Sequence, residues 1–598
     1  MMKKYVPLII VLLALFAPVF MPSCANTTQA PSGGKKDTIP PYIIDIKPLP
    51  GAIGFPLEKG KIVFYFDEYV TIKTATDIFL SPPLEKRPKS RIVGKKLEIT
   101  FEGTLEPNTT YTLNLNGAIA DNNEGNRFPG FTYVFSTGER IDSMFITGTV
   151  LDCNTLSPVK GATVMLYKDH SDSAVFLQRP YAAGMTDDWG YFVLPFIQDT
   201  LYRIYAIKDA GGDNIYSPDV DRVAFIDSLI RPDWKVADSI PELLKYDMTD
   251  TIGCQERRSQ HELKLFREHP SKQYIVNKVR TSPRSAYITF MAPDAWIDSL
   301  WFGGYPADRV ISQFNIQQDS LELWLNDRRP APDTLHLFVN YRKTDSTGVM
   351  RPELEHVKLV MDPEVKKNYS KSRRRNVKHE DTICVYSLKA EPENVEKEGF
   401  VMEFKYPIIY ENFDSLRFRY VNPKQKEFKG DVSIEQDSLN LRRYIIRPKV
   451  KFQPGFEYFL KVPHRSFKDI YGYWCDSTEV KVALPTDESL SLLNANITGV
   501  DRKYIVDLLD EKRTKVIRSY IIEKDCVLSF PYLKAGRYSI RIADDGNNNS
   551  IVDTGDLLQH RQPEPVHFVK FGDSEYLEIM KSAELDQKID LSELFKKE

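Results

Sequence analysis

The sequence is poor in the residues that most often carry chemistry. Its 598 residues include six cysteines, Cys24, Cys153, Cys254, Cys384, Cys475 and Cys526, widely spaced and without a C-x-x-C pair. That excludes zinc ribbons and thioredoxin-type redox motifs. Nine histidines are scattered with no H-E-x-x-H or H-x-H pattern, and neither G-x-S-x-G nor a phosphate-binding P-loop occurs. Gly572-Asp-Ser574 echoes the start of a serine-esterase block, but no helix-forming context follows it, and it reads as a surface turn. Basic residues are not in excess: 80 Lys and Arg stand against 83 Asp and Glu, a net charge of −3. A nucleic-acid partner, which needs a basic stripe, is therefore not expected. The adjacent acids Asp67-Glu68 lie on a strand-like run, where neighbours point to opposite faces, so they cannot act as a catalytic pair.

What is abundant is aromatic and turn-forming. The chain holds 31 Tyr, 33 Phe and 38 Pro with 42% hydrophobic residues, which fits many short strands joined by turns and argues against disorder. Its length is too great for one core and predicts roughly four to five domains. One stretch occurs twice. Leu105-Glu-Pro-Asn-Thr-Thr-Tyr-Thr-Leu-Asn-Leu115, followed by Asp121-Asn-Asn-Glu-Gly125, returns as Phe452-Gln-Pro-Gly-Phe-Glu-Tyr-Phe-Leu-Lys-Val462, followed by Lys468-Asp-Ile-Tyr-Gly472. In each copy a proline turn feeds a strand with period-two apolar positions, and a second turn closes it. Duplication at such a distance predicts an array of β modules.

The first copy lies in a run from about 40 to 138. Its order, Lys61-Ile-Val-Phe-Tyr-Phe-Asp-Glu68, then the repeated strand, then Thr132-Tyr-Val-Phe-Ser-Thr-Gly138, resembles the bacterial Ig-like domain of S-layer and envelope proteins, the SbsA-like type. That resemblance implies a structural β-sandwich and no chemistry. Residues 381–486 form the second such copy, with Phe400-Val-Met-Glu-Phe404 standing where Ile62 to Phe66 stood. Between them the pattern changes. Ile146-Thr-Gly148, Pro158-Val-Lys-Gly-Ala-Thr-Val164, Thr186-Asp-Asp-Trp-Gly-Tyr-Phe192 and Tyr202-Arg-Ile-Tyr-Ala-Ile207 resemble the carboxypeptidase-regulatory-like, transthyretin-related sandwich, a fold without a peptidase centre. This module is expected over 141–232, and again over 487–583 from Ile497-Thr-Gly499 and Tyr538-Ser-Ile-Arg-Ile542. A connector is expected at 233–273, with a helix at Pro241-Glu-Leu-Leu-Lys245, then a fifth β domain at 274–364 and a basic linker at 365–380. A helix is expected over 584–598, with Asp590 as its N-cap and Glu593 at the third helical position. Cys384 and Cys475 bracket one sandwich, and the sequence leaves their pairing open. The expected fold is thus all-β, tandem β-sandwich modules in an elongated array.

At the amino end Lys3-Lys4 precede a charge-free run from Tyr5 to Met21 that stops at Pro22-Ser-Cys24. A basic start, a short apolar stretch and a small residue make a secretory signal, expected over 1–23. Cys24 after Ser23 resembles the lipobox of bacterial lipoproteins, although Met21 and Pro22 depart from its usual pattern. The resemblance implies acylation of Cys24, and several acyl chains hold a protein on a bilayer durably. Ala25 is not the aspartate of the inner-membrane address, and Ala25 to Ala30 lacks the acidic run of Bacteroidetes surface lipoproteins, which favours the periplasmic face of the outer membrane. Residues 24–39 read as a flexible tether.

One loop has metal-type spacing. Counting Asp545 as position one, Asn547, Asn549, the carbonyl of Ile551, Asp553 and Asp556 occupy positions three, five, seven, nine and twelve of a calcium loop. Ser550 replaces the usual glycine at position six, and Asp556 is shorter than the usual glutamate. The competing reading is a polar turn capped by its own Asn and Asp side chains. The first copy, around Asp209 and Asp213, is poorer in ligands. Six tryptophans, Trp189, Trp234, Trp296, Trp301, Trp324 and Trp474, would suit glycan stacking if they were exposed together, and core packing if not. The expected function is a non-catalytic, membrane-anchored scaffold for envelope proteins. A polysaccharide-binding lipoprotein and a hydrolase centred in 233–380 are the alternatives.

Overall fold

The computed structural model describes residues 37–115, 117–128, 131–236, 259–327, 329–361, 383–392, 394–486 and 491–596. The signal stretch, Cys24, Cys254, the helix expected at 241–245 and the basic linker lie outside the described residues. The chain divides into two compact units: Met1–Phe145 with Pro195–Gln198 and Trp234–Arg257, and the remainder.

In the first unit, alternation does the folding. Lys61–Phe66 buries Ile62, Phe64 and Phe66 and leaves the residues between them less covered. It sits in a four-stranded sheet in the order Ile43–Lys47, Lys61–Phe66, Lys96–Thr100, Lys89–Val93. A second sheet, Phe79–Ser81, Thr110–Asn114, Thr132–Ser136, shares one core with it, in which Phe55 lies 4.4 Å from Phe135 and Tyr111 stacks on Phe135 at 5.3 Å. Each such aromatic contributes about 1.5–3 kcal/mol by leaving water.

Within the second unit, residues 383–486 repeat this plan. Tyr386–Lys389, Phe400–Phe404, Asn440–Pro448 and Val432–Asp437 form the first sheet in the same order, and Arg417–Val421, Glu457–Val462 and Thr478–Ala483 form the second, with Glu427–Gly430 added at its edge. The small pair Val70–Ile72 with Ile119–Asp121 is matched by Ile408–Glu411 with Phe467–Asp469.

The other duplicated pair is also visible. Ala182–Met185, Thr163–Tyr167, Arg203–Lys208 and Arg222–Phe225 form a sheet in that order, and Val516–Ile522, Tyr504–Asp510, Gly536–Asp544 and Val566–Phe568 form its counterpart. In both copies a late strand joins the opening strand in parallel: His261–Leu265 beside Met144–Asp152, and Glu584–Asp590 beside Ser491–Thr498. Two expectations change here. The stretch 233–273 is not merely a connector, and 584–598 is not simply a helix, since only Leu591–Leu594 is helical. A five- or seven-residue polar strand carries too few apolar positions to announce itself, and its partner is more than ninety residues away in both cases. The cap was read correctly, for Asp590 Oδ1 accepts from Ser592 N at 2.9 Å.

Residues 274–361 form a further sandwich. Its sheets are Ile275–Ser282, Ser285–Phe290, Ser320–Leu325, Val310–Phe314, and Ile297–Phe302, Thr334–Thr344, Met350–Val360, around a core of Ile288, Phe302, Leu323, Leu337 and Val339.

Within the second unit, modules distant in the chain also touch. The turn after Asp152 lies on the outer sheet face of the last module, where Leu156 packs against Ile505, Leu509, Ala543, Val566 and Phe568. Arg513 Nη1 reaches Thr155 O at 3.1 Å and Arg541 Nη1 reaches Asn154 O at 3.4 Å. Trp324 of the middle module is buried with Tyr406, Ile470 and Tyr471 of the next, beneath the Arg442 guanidinium. Loop-to-sheet contacts of this kind leave no period in the sequence.

Candidate functional site

The loop with metal-type spacing begins where the strand Gly536–Asp544 ends. Asp545 is buried and its Oδ2 accepts from Ser550 N at 2.8 Å, across the loop. Asn547 Oδ1 accepts from Asn549 N at 3.0 Å, and Asn549 Oδ1 from Ile551 N at 2.8 Å. These successive side-chain turns curl the backbone tightly. Ser550 takes φ +67°, the left-handed conformation for which a glycine is usual, so the curl survives the substitution at position six. Asp553 Oδ2 accepts from the side-chain amides of Asn547 and, at 2.8 Å, of Asn549, so residues at positions three, five and nine converge.

Two side chains that spacing did not identify complete the arrangement. Glu564 bridges the loop mouth, accepting from Gly546 N and Asp553 N, both at 2.9 Å. Burial pushes its carboxyl above the usual range, the amides of Asp553 and Gly546 oppose this, and the charges of Asp553 and Asp545 add to it. Lys503 Nζ lies 3.5 Å from Asp545 Oδ2 and donates to Asn548 O at 3.0 Å and Ser550 Oγ at 2.7 Å. Asp556 serves the next turn instead, its Oδ1 accepting from Gln559 N at 2.9 Å. Among the described residues no three of His, Cys, Asp or Glu converge to hold a metal, so any ion here would rest on two aspartates plus amide and carbonyl oxygens.

The repeated stretch carries its own hardware. Tyr111 Oη accepts from Glu106 N at 2.8 Å, and Tyr458 Oη from Gln453 N at 2.7 Å, each reaching back five residues. This is the corner that Ig-type sandwiches use to fix a strand to its preceding turn. Downstream, Asp121 accepts from the amides of Asn123, Glu124, Gly125 and Asn126 at 2.7–2.9 Å. Residues 37–137 match the bacterial Ig-like domain. The Ig-like module and its repeat are therefore held by the same tyrosine bond, although the match covers the first copy.

No curated protein matches the chain. Solved structures that align with it include BcpA, the major pilin subunit of Bacillus cereus, at 10% identity, covering 75% of this chain and 99% of that one with a TM-score of 0.13. The S-layer protein SbsC aligns at 11% identity over 84% of this chain and 52% of that one, TM-score 0.12. Domains MG0-NIE-MG1 of Escherichia coli alpha-2-macroglobulin align at 11% identity over 33% and 96%, TM-score 0.14.

The remaining candidates resolve individually. Trp189 and Trp296 are 64% and 63% exposed, in different modules. Trp301 stacks flat on Phe338 at 5.4 Å and Trp324 is buried. In 274–361 the buried cation Arg280 donates to the carbonyls of Asp333, Pro332 and Pro283 at 2.7–2.8 Å, a structural clasp. Cys384 and Cys475 are both free thiols in one core, and burial, reinforced by Asp469, pushes the Cys384 thiol far up. Among the described residues no helix is long and apolar enough to cross a membrane.

Proposed function

We propose that this protein is a non-catalytic envelope scaffold, acylated on Cys24 and held on the outer membrane of a Gram-negative, Bacteroidetes-like cell, facing the periplasm. Its Ig-like modules and the carboxypeptidase-regulatory-like pair hold or space the proteins of a membrane-assembly or secretion complex. The observation that carries this reading is the combination of a basic start and charge-free run leading to Cys24 with an Ig-like domain immediately behind the tether. The modules behind it support a rigid role, because buried charges serve packing. Asp507 pairs with Arg541 at 2.6 Å, and Asp152 pairs with Arg222 while accepting from Asn154 N and Thr155 N.

The test is metabolic labelling with a palmitate analogue, followed by crosslinking and affinity purification from native membranes. Label on the wild-type chain, loss of label and release from the membrane in Cys24→Ala, and recovery of envelope proteins support the proposal. An unlabelled chain that stays soluble overturns it. Recovery of glycan with no protein would favour the polysaccharide-binding alternative, and turnover of an ester, glycoside or peptide would favour the hydrolase.

A further inference from the structure

The two copies of the transthyretin-related module provide an internal comparison. In the first, Asp209 is satisfied on both oxygens, by Gly212 N and by Asn214 N at 2.8 Å, and Asp221 by Ala210 N and Ser217 N, both at 2.9 Å. That loop is closed by its own amides. In the second, Asp545 has a fully buried side chain, yet Oδ1 meets no hydrogen-bond partner. A buried carboxylate oxygen without a donor has lost its hydration and gained nothing in return. Its companion Oδ2 is fixed by Ser550 N, so the side chain is anchored across the loop. In the same loop Asp553 Oδ2 gathers the Asn547 and Asn549 side chains. Each amide oxygen keeps a second lone pair beyond the one that its backbone N–H partner uses, so it can ligate a cation without giving up that turn.

We propose that the loop from Asp545 to Asp553 binds one calcium ion through Asp545, Asn547, Asn549, Asp553 and the Ile551 carbonyl, with Glu564 positioning the loop and Asp556 taking no part. A hard cation with flexible oxygen coordination fits two carboxylates, two amides and a carbonyl, with water completing the shell. Lys503 brings one positive charge against the two aspartates, so the site is weak, in the range on the order of 10⁻⁴–10⁻³ M found for extracellular modules. The ion would act at a junction. Immediately after Asp553, Thr554 Oγ1 donates to Arg267 O at 2.6 Å and Leu557 N donates to Glu268, both at the end of the first copy. Gly555 lies against Phe266 so closely that a Cβ would sit 2.6 Å from its ring. Fixing the loop therefore fixes the contact between the two copies.

The full mature chain is titrated with terbium and then with calcium, and amide hydrogen exchange is followed with and without calcium. One terbium ion per chain, displaced by millimolar calcium, is expected, with slowed exchange over 545–562 and 261–268. Asp553→Asn should weaken calcium binding about tenfold or more. Lys503→Gln should tighten it several-fold, an opposite sign that a merely damaged fold cannot produce. Asp213→Asn in the first copy should leave binding unchanged. Failure of calcium to displace terbium or slow exchange, or binding that survives Asp553→Asn unaltered, overturns the site. The membrane-labelling experiment is unaffected by either result.

Discussion

A single aspartate in the duplicated Ig-like plan shows how one position acquires two behaviours. At Asp121 burial alone would raise the carboxyl, but the amides of Gly125, Asn126, Glu124 and Asn123 together outweigh it and hold it below the usual range. At Asp469 burial wins over the amides of Tyr473, Tyr471 and Gly472, the carboxyl is raised, and Oδ2 has no donor. The consequences have opposite signs. The stability supplied by Asp121 is present above the unfolded value near ~3.9 and is lost as pH falls through the lower folded value. That supplied by Asp469 is complete below the unfolded value and is lost as pH rises through the raised folded value. Asp121→Asn should destabilise by about 1–3 kcal/mol at neutral pH, because its amide would face the Asn126 N–H, and the loss should shrink in acid. Asp469→Asn should cost little at neutral pH and become unfavourable relative to wild type only in acid. Urea unfolding across pH 3–8 reads both, and parallel curves for the two variants would contradict the assignment. The shared tyrosines behave alike: Tyr111→Phe and Tyr458→Phe should each lower stability by about 1 kcal/mol through the orphaned amide.

Strands that the chain adds late decide whether each module of the second duplicated pair closes. The glycine of the Ile-Thr-Gly stretch makes room for them. A Cβ on Gly148 would stand 2.3 Å from His261 O, and one on Gly499, already at φ +74°, would stand 2.8 Å from Asp590 Oδ1. Gly148→Ala should therefore displace His261–Leu265 and lower the unfolding midpoint by about 1–3 kcal/mol of stability, as overpacking does. The carboxyl end gives a sharper contrast. Ending the chain after residue 583 removes the strand Glu584–Asp590, uncovers Ile497 and Leu493, and exposes the edge of Ser491–Thr498. Ending it after 590 removes one helical turn. The first truncation should yield a misfolded or aggregating last module and the second a folded one with a slightly lowered melt, by circular dichroism and calorimetry. Equal behaviour would mean that the parallel strand contributes nothing.

For the second unit taken together, the decisive contact joins modules whose residues lie hundreds of positions apart. Leu156 meets Phe568, and Arg513 stacks over Phe568 at 3.7 Å while reaching Thr155. Independent beads on a string would show additive mutations. Leu156→Ala and Phe568→Ala should instead show a coupling of roughly 0.5–3 kcal/mol in a double-mutant cycle. A coupling of zero would return the unit to separate modules. The unit is thus tied together by contacts between the two ends of its sequence.

Period-two alternation and the doubled Pro-to-Tyr stretch were enough to read the sandwiches, their duplication and the Asp590 cap, because each depends on residues a few positions apart. The Asp545 loop was legible for the same reason, up to its converging core. What spacing could not supply was Glu564 at the loop mouth, Lys503 against the loop, the two parallel closing strands and the seat of Leu156 on another module. Those rest on backbone edges and burial created by distant segments, and a one-dimensional pattern holds no record of which surfaces fold against each other.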